Sequence, residues 1–236
     1  MRVAHHLTQF KQSLLIATAF TLVLWGIWLW EQLFGLYLGH YGVLPRHTAG
    51  LLGILTAPLI HGDAAHLAAN STGLLILGTA LLYGYPRCRF KVIALIWLVS
   101  GAGVWLVGRM SFHFGASGLT HGIFFFLLVA SLLRRDPRSL ALMMAAFFMF
   151  GGMIYGILPR YEGISFETHL FGAVGGVLGA LWFWRDDPLP RRKHYDWEYD
   201  PPADPVEEDC IGELWRQADG PERPLEKQER GDRESQ

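Results

Sequence analysis

Six stretches of this chain are apolar over a length that suits a lipid bilayer, and they limit what the chain can fold into. A membrane-spanning helix needs about 20 predominantly apolar residues. The six stretches predict helices over residues 13–30, 64–83, 92–107, 114–133, 139–158 and 166–184. Backbone polar groups inside hydrocarbon must pair within the protein. The predicted fold class is therefore an all-α polytopic membrane protein, built as a bundle of six transmembrane helices.

Charged residues concentrate at the end of the sequence. Residues 185–236 hold 9 of the 20 Lys and Arg residues and 16 of the 21 Asp and Glu residues. A segment of this composition buries too little apolar surface to fold, so we predict a largely disordered cytoplasmic tail over 185–236. The short apolar run 211–215 within it is a candidate docking motif for an unidentified partner. Residues 1–12 are predicted to be a short cytoplasmic N-terminus.

The basic residues of the loops predict the orientation, because cytoplasmic loops carry an excess of Lys and Arg. With a cytoplasmic N-terminus, the inner side receives twelve basic residues and the outer side three. The outer three are Arg46, Arg109 and Arg160. Both termini are therefore predicted to be cytoplasmic, with Cys88 and Cys210 reduced. Two cysteines provide no disulfide framework or zinc ribbon, and no basic patch interleaved with aromatic residues indicates a nucleic-acid partner.

Four polar side chains are predicted to lie at one depth in the bundle. The second, fourth and sixth helices run in the same direction, so their first turns lie near the outer surface. At 1.5 Å per residue, these side chains fall within roughly 10 Å of that surface; they are His66, Asn70, Ser117 and His169. Polar groups at such positions usually face the bundle interior or a water-filled cavity. Four residues from three helices can therefore form one site.

Small residues predict close contact between the fourth and sixth helices. The sixth helix reads His169-x2-Gly172-x3-Gly176, a stripe that lets helix backbones touch. Gly118 provides the matching gap on the fourth helix. The contact is expected to bring Ser117 within hydrogen-bonding distance of His169.

Nucleophilic acyl transfer is the chemistry that these residues favour. A serine hydroxyl becomes a strong nucleophile when a neighbouring neutral histidine takes its proton. Ser117 is the candidate nucleophile and His169 the candidate base. The Asn70 and His66 side chains, with the Ser117 backbone N–H, are the candidate donors to the oxyanion.

The motifs that hold these residues resemble those of the rhomboid intramembrane serine proteases, over about residues 40–184. The matching motifs are His61-x4-His66-x3-Asn70, Gly115-x-Ser117-Gly118 and His169-x2-Gly172-x3-Gly176. The resemblance implies a six-helix rhomboid bundle that cleaves transmembrane or juxtamembrane segments of protein substrates within the lipid bilayer. It implies that no metal or cofactor takes part and that His61 has a structural role. It also implies a multi-pass protein in the inner membrane of a bacterium.

The sequence departs from many rhomboids at two places. Many members carry an aromatic residue, usually tyrosine, four positions after the serine, where it stacks on the catalytic histidine; here this position is His121. The first loop offers Pro45-Arg46 where some members have a Trp-Arg pair. These features resemble a proteobacterial branch near the rhombosortases. In the family, the fifth helix lines a lateral route for substrate, so Gly151-Gly152 is a candidate flexible point there.

Other interpretations stay open at this point. A serine at a helix start commonly serves as an N-cap, so the catalytic interpretation of Ser117 rests on the accompanying histidines and asparagine. A metal ion bound by His61 and His66, with Asp63 and His169 nearby, is an alternative, although a spacing of five on a helix would turn His61 and His66 well over a right angle apart. A haem between His66 and His169 is another. A transporter is a further alternative, as is a non-proteolytic rhomboid-like protein that binds membrane partners.

Overall fold

A computed structural model describes residues 2–159 and 165–189. Within these residues the α-helices are α1 Arg2–Leu33, α2 Gly53–Thr56, α3 Ala64–Gly73, α4 Thr79–Gly84, α5 Arg89–Val107, α6 Ser117–Arg134, α7 Pro137–Phe150, α8 Met153–Gly156 and α9 Phe166–Phe183. A π-helical turn, Leu74–Gly78, joins α3 and α4 into one continuous span over 64–84. Short 3₁₀ helices at Leu38–Tyr41, Thr48–Gly50 and Ala57–Leu59 shape the loop that follows α1.

Five helices of the described part are long and apolar enough to cross a membrane. They are α1, the α3–α4 span, α5, α6 and α9, and they correspond to five of the six predicted segments. The observed bounds of α5, α6 and α9 differ from the predicted ones by three residues or fewer. The helix α1 is longer than predicted and reaches Leu33. The chain is thus an all-α multi-pass membrane protein in its described part.

The predicted fifth helix, 139–158, is wrong as a single helix. It divides into the 14-residue α7 and the four-residue α8, with a turn at Gly151-Gly152 between them. Two adjacent glycines weaken a helix because each costs roughly 1 kcal/mol relative to alanine. The helix α7 alone is about 21 Å long, shorter than the hydrocarbon thickness of about 30 Å. Its start is well defined, since the Asp136 side chain accepts from two backbone N–H groups and Pro137 occupies the first turn.

The helix α9 packs against α5 and α6, and its contact with α6 is the most extensive between helices of the described residues. A Cβ atom on Gly172 would collide with the Gly118 carbonyl oxygen and lie 2.8 Å from the Gly118 carbonyl carbon. A Cβ on Gly176 would collide in the same way with the Gly122 carbonyl oxygen. The predicted small-residue contact is therefore present, and it brings the first turns of α6 and α9 side by side.

A buried arginine closes the end of the bundle farthest along α6 from Ser117. The Arg134 guanidinium pairs with the Asp136 carboxylate at 3.0 Å, and both side chains are buried. It also donates to the carbonyl oxygens of Trp184 and Asp187, at 3.0 and 2.7 Å. Arg134 therefore ties the α6–α7 turn to the segment that leaves α9.

The Asp187 side chain holds the same segment to the turn that precedes α5. Its two carboxylate oxygens accept from the backbone N–H groups of Arg87 and Cys88, at 2.9 and 3.2 Å. Residues 185–189, which the sequence analysis assigns to the tail, are thus held by the bundle. The remainder of the predicted tail, 190–236, lies outside the described residues, and so does the candidate docking run 211–215.

Candidate active site

The four side chains predicted to share one depth line a single cavity of about 660 Å³. His66 and Asn70 come from the first two turns of α3, Ser117 is the first residue of α6, and His169 lies in the first turn of α9. Asn70 and His169 are buried, whereas His66 and Ser117 are partly exposed. The close packing of α9 on α6 is what places His169 on the same cavity as Ser117.

The start of α6 leaves backbone donors available at the cavity. The residue that precedes the helix, Ala116, makes no side-chain capping bond. The first N–H groups of a helix have no partner within the helix and bind anions readily. The Ser117 carbonyl oxygen accepts from the Thr120 hydroxyl at 2.9 Å and from His121 Nδ1 at 2.8 Å. Ser117 is therefore held firmly by its own first turn, with its N–H at the helix N-terminus.

The protonation of His169 follows from its hydrogen bond. Its Nδ1 lies 3.0 Å from the carbonyl oxygen of Gly156, which can only accept. Nδ1 therefore carries the proton, and in the neutral ring Nε2 holds the lone pair that a general base requires. A backbone carbonyl thus orients this histidine in the way that a carboxylate does in a catalytic triad. The hydrogen bond expected between the Ser117 hydroxyl and His169 is not formed in the described part of the chain, although both residues line the same cavity.

The His121 ring stacks on the His169 ring, with centroids 3.9 Å apart and planes 8° from parallel. The hydrogen bond from its Nδ1 to the Ser117 carbonyl fixes its orientation. His121 therefore stacks where the sequence analysis expects the residue four positions after Ser117, and it links the backbone of Ser117 to the ring of His169.

An unpaired amide group lies beside the cavity. Asn70 Nδ2 is buried and has no hydrogen-bond partner among the described residues. Leaving a buried donor unpaired costs about 1–3 kcal/mol. Asn70 Nδ2 lies 3.7 Å from the position that a Cβ atom on Gly115 would take, so it is close to the backbone that leads to Ser117. The site therefore holds a donor to which an acceptor in the cavity, such as a substrate oxygen or a water, can bind.

Gly115 allows the loop before α6 to approach α3. Its φ of +119° is a conformation that other residues rarely adopt. A Cβ there would also lie 2.6 Å from His66 Cε1 and 2.8 Å from His66 Nε2. Both the backbone conformation and the space require glycine, so Gly115 is what brings His66 next to Ser117.

The predicted splaying of His61 and His66 is wrong. His61 lies before α3, which begins after its N-cap Asp63, so the helical spacing does not apply. The two rings are in contact, with centroids 5.2 Å apart. Burial, and then the neighbouring His66, lower the pKa of His61 to about 4. Its neutral ring accepts from the Ala116 N–H through Nε2 at 3.3 Å, so His61 supports the loop before Ser117.

Four polar residues outside the predicted site join the segment that precedes Ser117 to the start of α9. Arg109 pairs with the buried Glu167 of α9, and His113 bonds to Ser165, the N-cap of α9. Glu167 bonds to Arg109 and makes no hydrogen bond to His169 in the described part of the chain. No local pattern marks these pairs, because their members are 52 to 58 residues apart.

Among the described residues, no three His, Cys, Asp or Glu side chains cluster in a way that could hold a metal ion.

Comparison with known protein families agrees with this arrangement. The family model for the rhomboid domain matches residues 48–186, more than half of the chain. This chain belongs to the rhomboid family. It is also similar to uncharacterised proteins of Mycobacterium tuberculosis and Mycobacterium bovis, each 37% identical over 171 residues, which cover 68% of this chain and 71% of the relative. An uncharacterised protein of Mycobacterium leprae is 37% identical over 171 residues, with 68% and 67% covered.

The predicted family membership is confirmed, and it places this rhomboid in a family of intramembrane proteases. The matched region begins in the loop after α1 and ends just after α9. It therefore contains the cavity, all four of its predicted polar residues, and the glycine contact between α6 and α9.

Proposed function

We propose that this rhomboid is an intramembrane serine endopeptidase that cleaves transmembrane or juxtamembrane segments of membrane proteins through a Ser117–His169 dyad. The observation that carries the proposal is the unpaired, buried amide of Asn70 on the cavity that Ser117 and His169 share. Most buried polar groups of a protein core are paired, and an unpaired donor on a cavity that also holds a serine and a histidine can bind the charge that develops in an acyl-transfer transition state. No metal or cofactor takes part in the proposed reaction.

The proposed reaction follows from the roles of the individual atoms. His169 Nε2 takes the hydroxyl proton of Ser117 as Oγ bonds to the carbonyl carbon of the substrate peptide. The resulting oxyanion accepts from the Ser117 N–H, Asn70 Nδ2 and His66. The C–N bond then breaks, and His169 passes its proton to the leaving amine. The same nitrogen then takes a proton from water as the water oxygen bonds to the acyl carbon; the bond from that carbon to Oγ breaks, and His169 returns the proton to Ser117.

We place this enzyme in the cytoplasmic membrane of a bacterium, with the cavity opening outward. The mycobacterial relatives support a bacterial setting, and the excess of basic residues on one side supports cytoplasmic termini. The substrate classes are transmembrane proteins in the same bilayer. The tail 190–236 would then face the cytoplasm, where a partner for its apolar run 211–215 can reach it.

Cleavage in liposomes tests the proposal. Purified full-length protein is reconstituted with a single-span substrate labelled at both ends, and the products are sequenced by mass spectrometry. We expect one main cut in or beside the substrate's transmembrane segment, at a rate unchanged by excess EDTA. Loss of cleavage with EDTA would instead support a metal centre. Substrate binding without any cleavage would contradict the protease and favour the non-proteolytic rhomboid-like protein.

A further inference from the structure

The segments that precede Ser117 and His169 are bonded directly to each other. His113 lies four residues before Ser117, and Ser165 lies four residues before His169. His113 Nδ1 and the Ser165 hydroxyl are 2.6 Å apart, and both residues line the cavity. The pair therefore spans the gap between the two halves of the site.

The hydrogen bonds of this pair run in one direction. His113 Nε2 lies 2.9 Å from the Arg109 carbonyl oxygen, an acceptor, so in the neutral ring Nε2 carries the proton. Nδ1 then accepts from the Ser165 hydroxyl. The Thr168 hydroxyl, 2.6 Å from Ser165 Oγ, donates to it in turn. Each group thus has a defined role, which holds Ser165 in one position relative to His113.

A second contact joins the same two segments. Arg109 donates to both carboxylate oxygens of Glu167, from Nε at 2.6 Å and from NH2 at 3.1 Å. Two parallel bonds between a guanidinium and a carboxylate fix orientation as well as distance. Glu167 is buried although Arg109 is half exposed. The start of α9 is therefore held at two points, at Ser165 just before the helix and at Glu167 in its first turn.

The loop that contains His113 is itself held by hydrogen bonds to the first loop. His113 exchanges two backbone hydrogen bonds with Val43 of the first loop, each 2.9 Å long. The His113 side chain is 3% exposed, so it has little room to move. On the other side, the Ser165 carbonyl accepts from the His169 N–H at 3.5 Å. A displacement of Ser165 would consequently displace His169.

We propose that these four residues, which we call the brace (Arg109, His113, Ser165 and Glu167), position His169 against Ser117. They are positioning residues that act through α9 and do not touch the reacting atoms. The inference rests on the proposed Ser117–His169 dyad. A misplacement of about 1 Å between reacting groups can cost roughly a hundredfold in rate. Loss of the brace is therefore expected to lower kcat more than it changes KM.

Variants on both sides of the pair test the brace in the liposome cleavage assay. His113→Phe removes the acceptor but leaves the capping bond from Thr168 N–H to Ser165 intact. We expect His113→Phe and Ser165→Ala each to lower kcat by roughly tenfold to a hundredfold with KM within about twofold. The double variant is expected to lose less than the product of the two single losses, since both substitutions remove the same His113–Ser165 hydrogen bond.

Conservative variants separate positioning from folding. Ser165→Thr keeps the hydroxyl, and His113→Asn keeps an acceptor near Nδ1; both are expected to retain at least about a third of the wild-type kcat, since each keeps its hydrogen bond. Ser111→Ala is the matched control, because its 3.3 Å contact with His113 lies outside the pair that reaches α9. It is expected to match the wild type.

Three outcomes would overturn the brace. The first is a wild-type kcat in both His113→Phe and Ser165→Ala. The second is a lower kcat in Ser165→Ala alone. The third is a lower kcat in the conservative variants too, with kcat falling in all variants in step with the thermal midpoint of unfolding. The second outcome would show a helix cap alone, and the third would show a purely structural role. These three outcomes bear on the brace when Ser117→Ala is inactive in the same assay. An active Ser117→Ala would reject the proposed dyad itself.

Discussion

Replacement of Ser117 by alanine is expected to lower the cleavage rate at least about a thousandfold, because removal of a catalytic serine from such a unit abolishes covalent catalysis. His169→Phe is expected to cause a similar loss. Phenylalanine keeps a flat ring to stack on His121 but has no nitrogen to act as the base. The double variant should be no slower than either single variant, since the two residues act in one step. Rates of cleavage in liposomes measure all three.

Ser131→Ala is the matched control for the loss of a hydroxyl. Ser131 lies in the same helix, α6, and its hydroxyl donates to the Leu128 carbonyl in its own helix. Its variant should cleave at close to the wild-type rate. Substantial cleavage by Ser117→Ala or by His169→Phe, with the control unchanged, would reject the dyad.

Gly172→Ala is expected to reduce cleavage by about a hundredfold and to lower stability by about 1–3 kcal/mol. The added Cβ would meet the Gly118 carbonyl group and lie 2.9 Å from Gly118 Cα. These are backbone atoms, so the clash is relieved only when α6 and α9 move apart. That movement carries His169 away from Ser117. The cleavage rate and the thermal midpoint in detergent measure the two effects.

Gly179→Ala provides the control on the same helix. The nearest atoms to a Cβ at Gly179 are side-chain carbons 3.6 to 3.7 Å away, an ordinary contact distance. We expect its stability to stay within about 0.5 kcal/mol of the wild type and its cleavage rate to be unchanged. Equal activity in Gly172→Ala and Gly179→Ala would show that the helix contact does not position the site.

The transmembrane helices and the α6–α9 contact could be predicted because both leave local patterns in the sequence. Long apolar runs mark α5, α6 and α9, and their observed ends lie close to the predicted ones. The spacing of His169, Gly172 and Gly176 marks one face of α9 before any partner is known. Such signals depend only on neighbouring residues, so they survive without knowledge of the fold.

The features that could not be predicted depend on contacts between distant residues. The pairing of His113 with Ser165 joins positions 52 apart, and neither residue stands out in its own segment. The contact of His61 with His66 was missed because the chain turns at Asp63 before α3 begins. The division of the fifth helix follows from Gly151-Gly152, which indicated a flexible point but not a turn. The anchoring of residues 185–189 likewise comes from Arg134 and Asp187.

Several predictions stay predictions. The cytoplasmic location of both termini, the reduced state of Cys210 and the disorder of the tail concern orientation or residues beyond 189. The likeness to the rhombosortases also stays a prediction, because family membership alone does not distinguish the branches. Attachment of a cytoplasmic reporter to either terminus would test the orientation without changing the bundle.

The site of reaction with a fluorophosphonate tests the central claim most directly, because the probe forms a covalent adduct with a serine that a base has activated. The protein in liposomes is treated with the probe, digested and sequenced by mass spectrometry. We predict one phosphonylated residue, Ser117, with labelling lost in Ser117→Ala and greatly slowed in His169→Phe. An adduct on another serine, or labelling of Ser117 at an equal rate in wild type and His169→Phe, would contradict the proposed dyad.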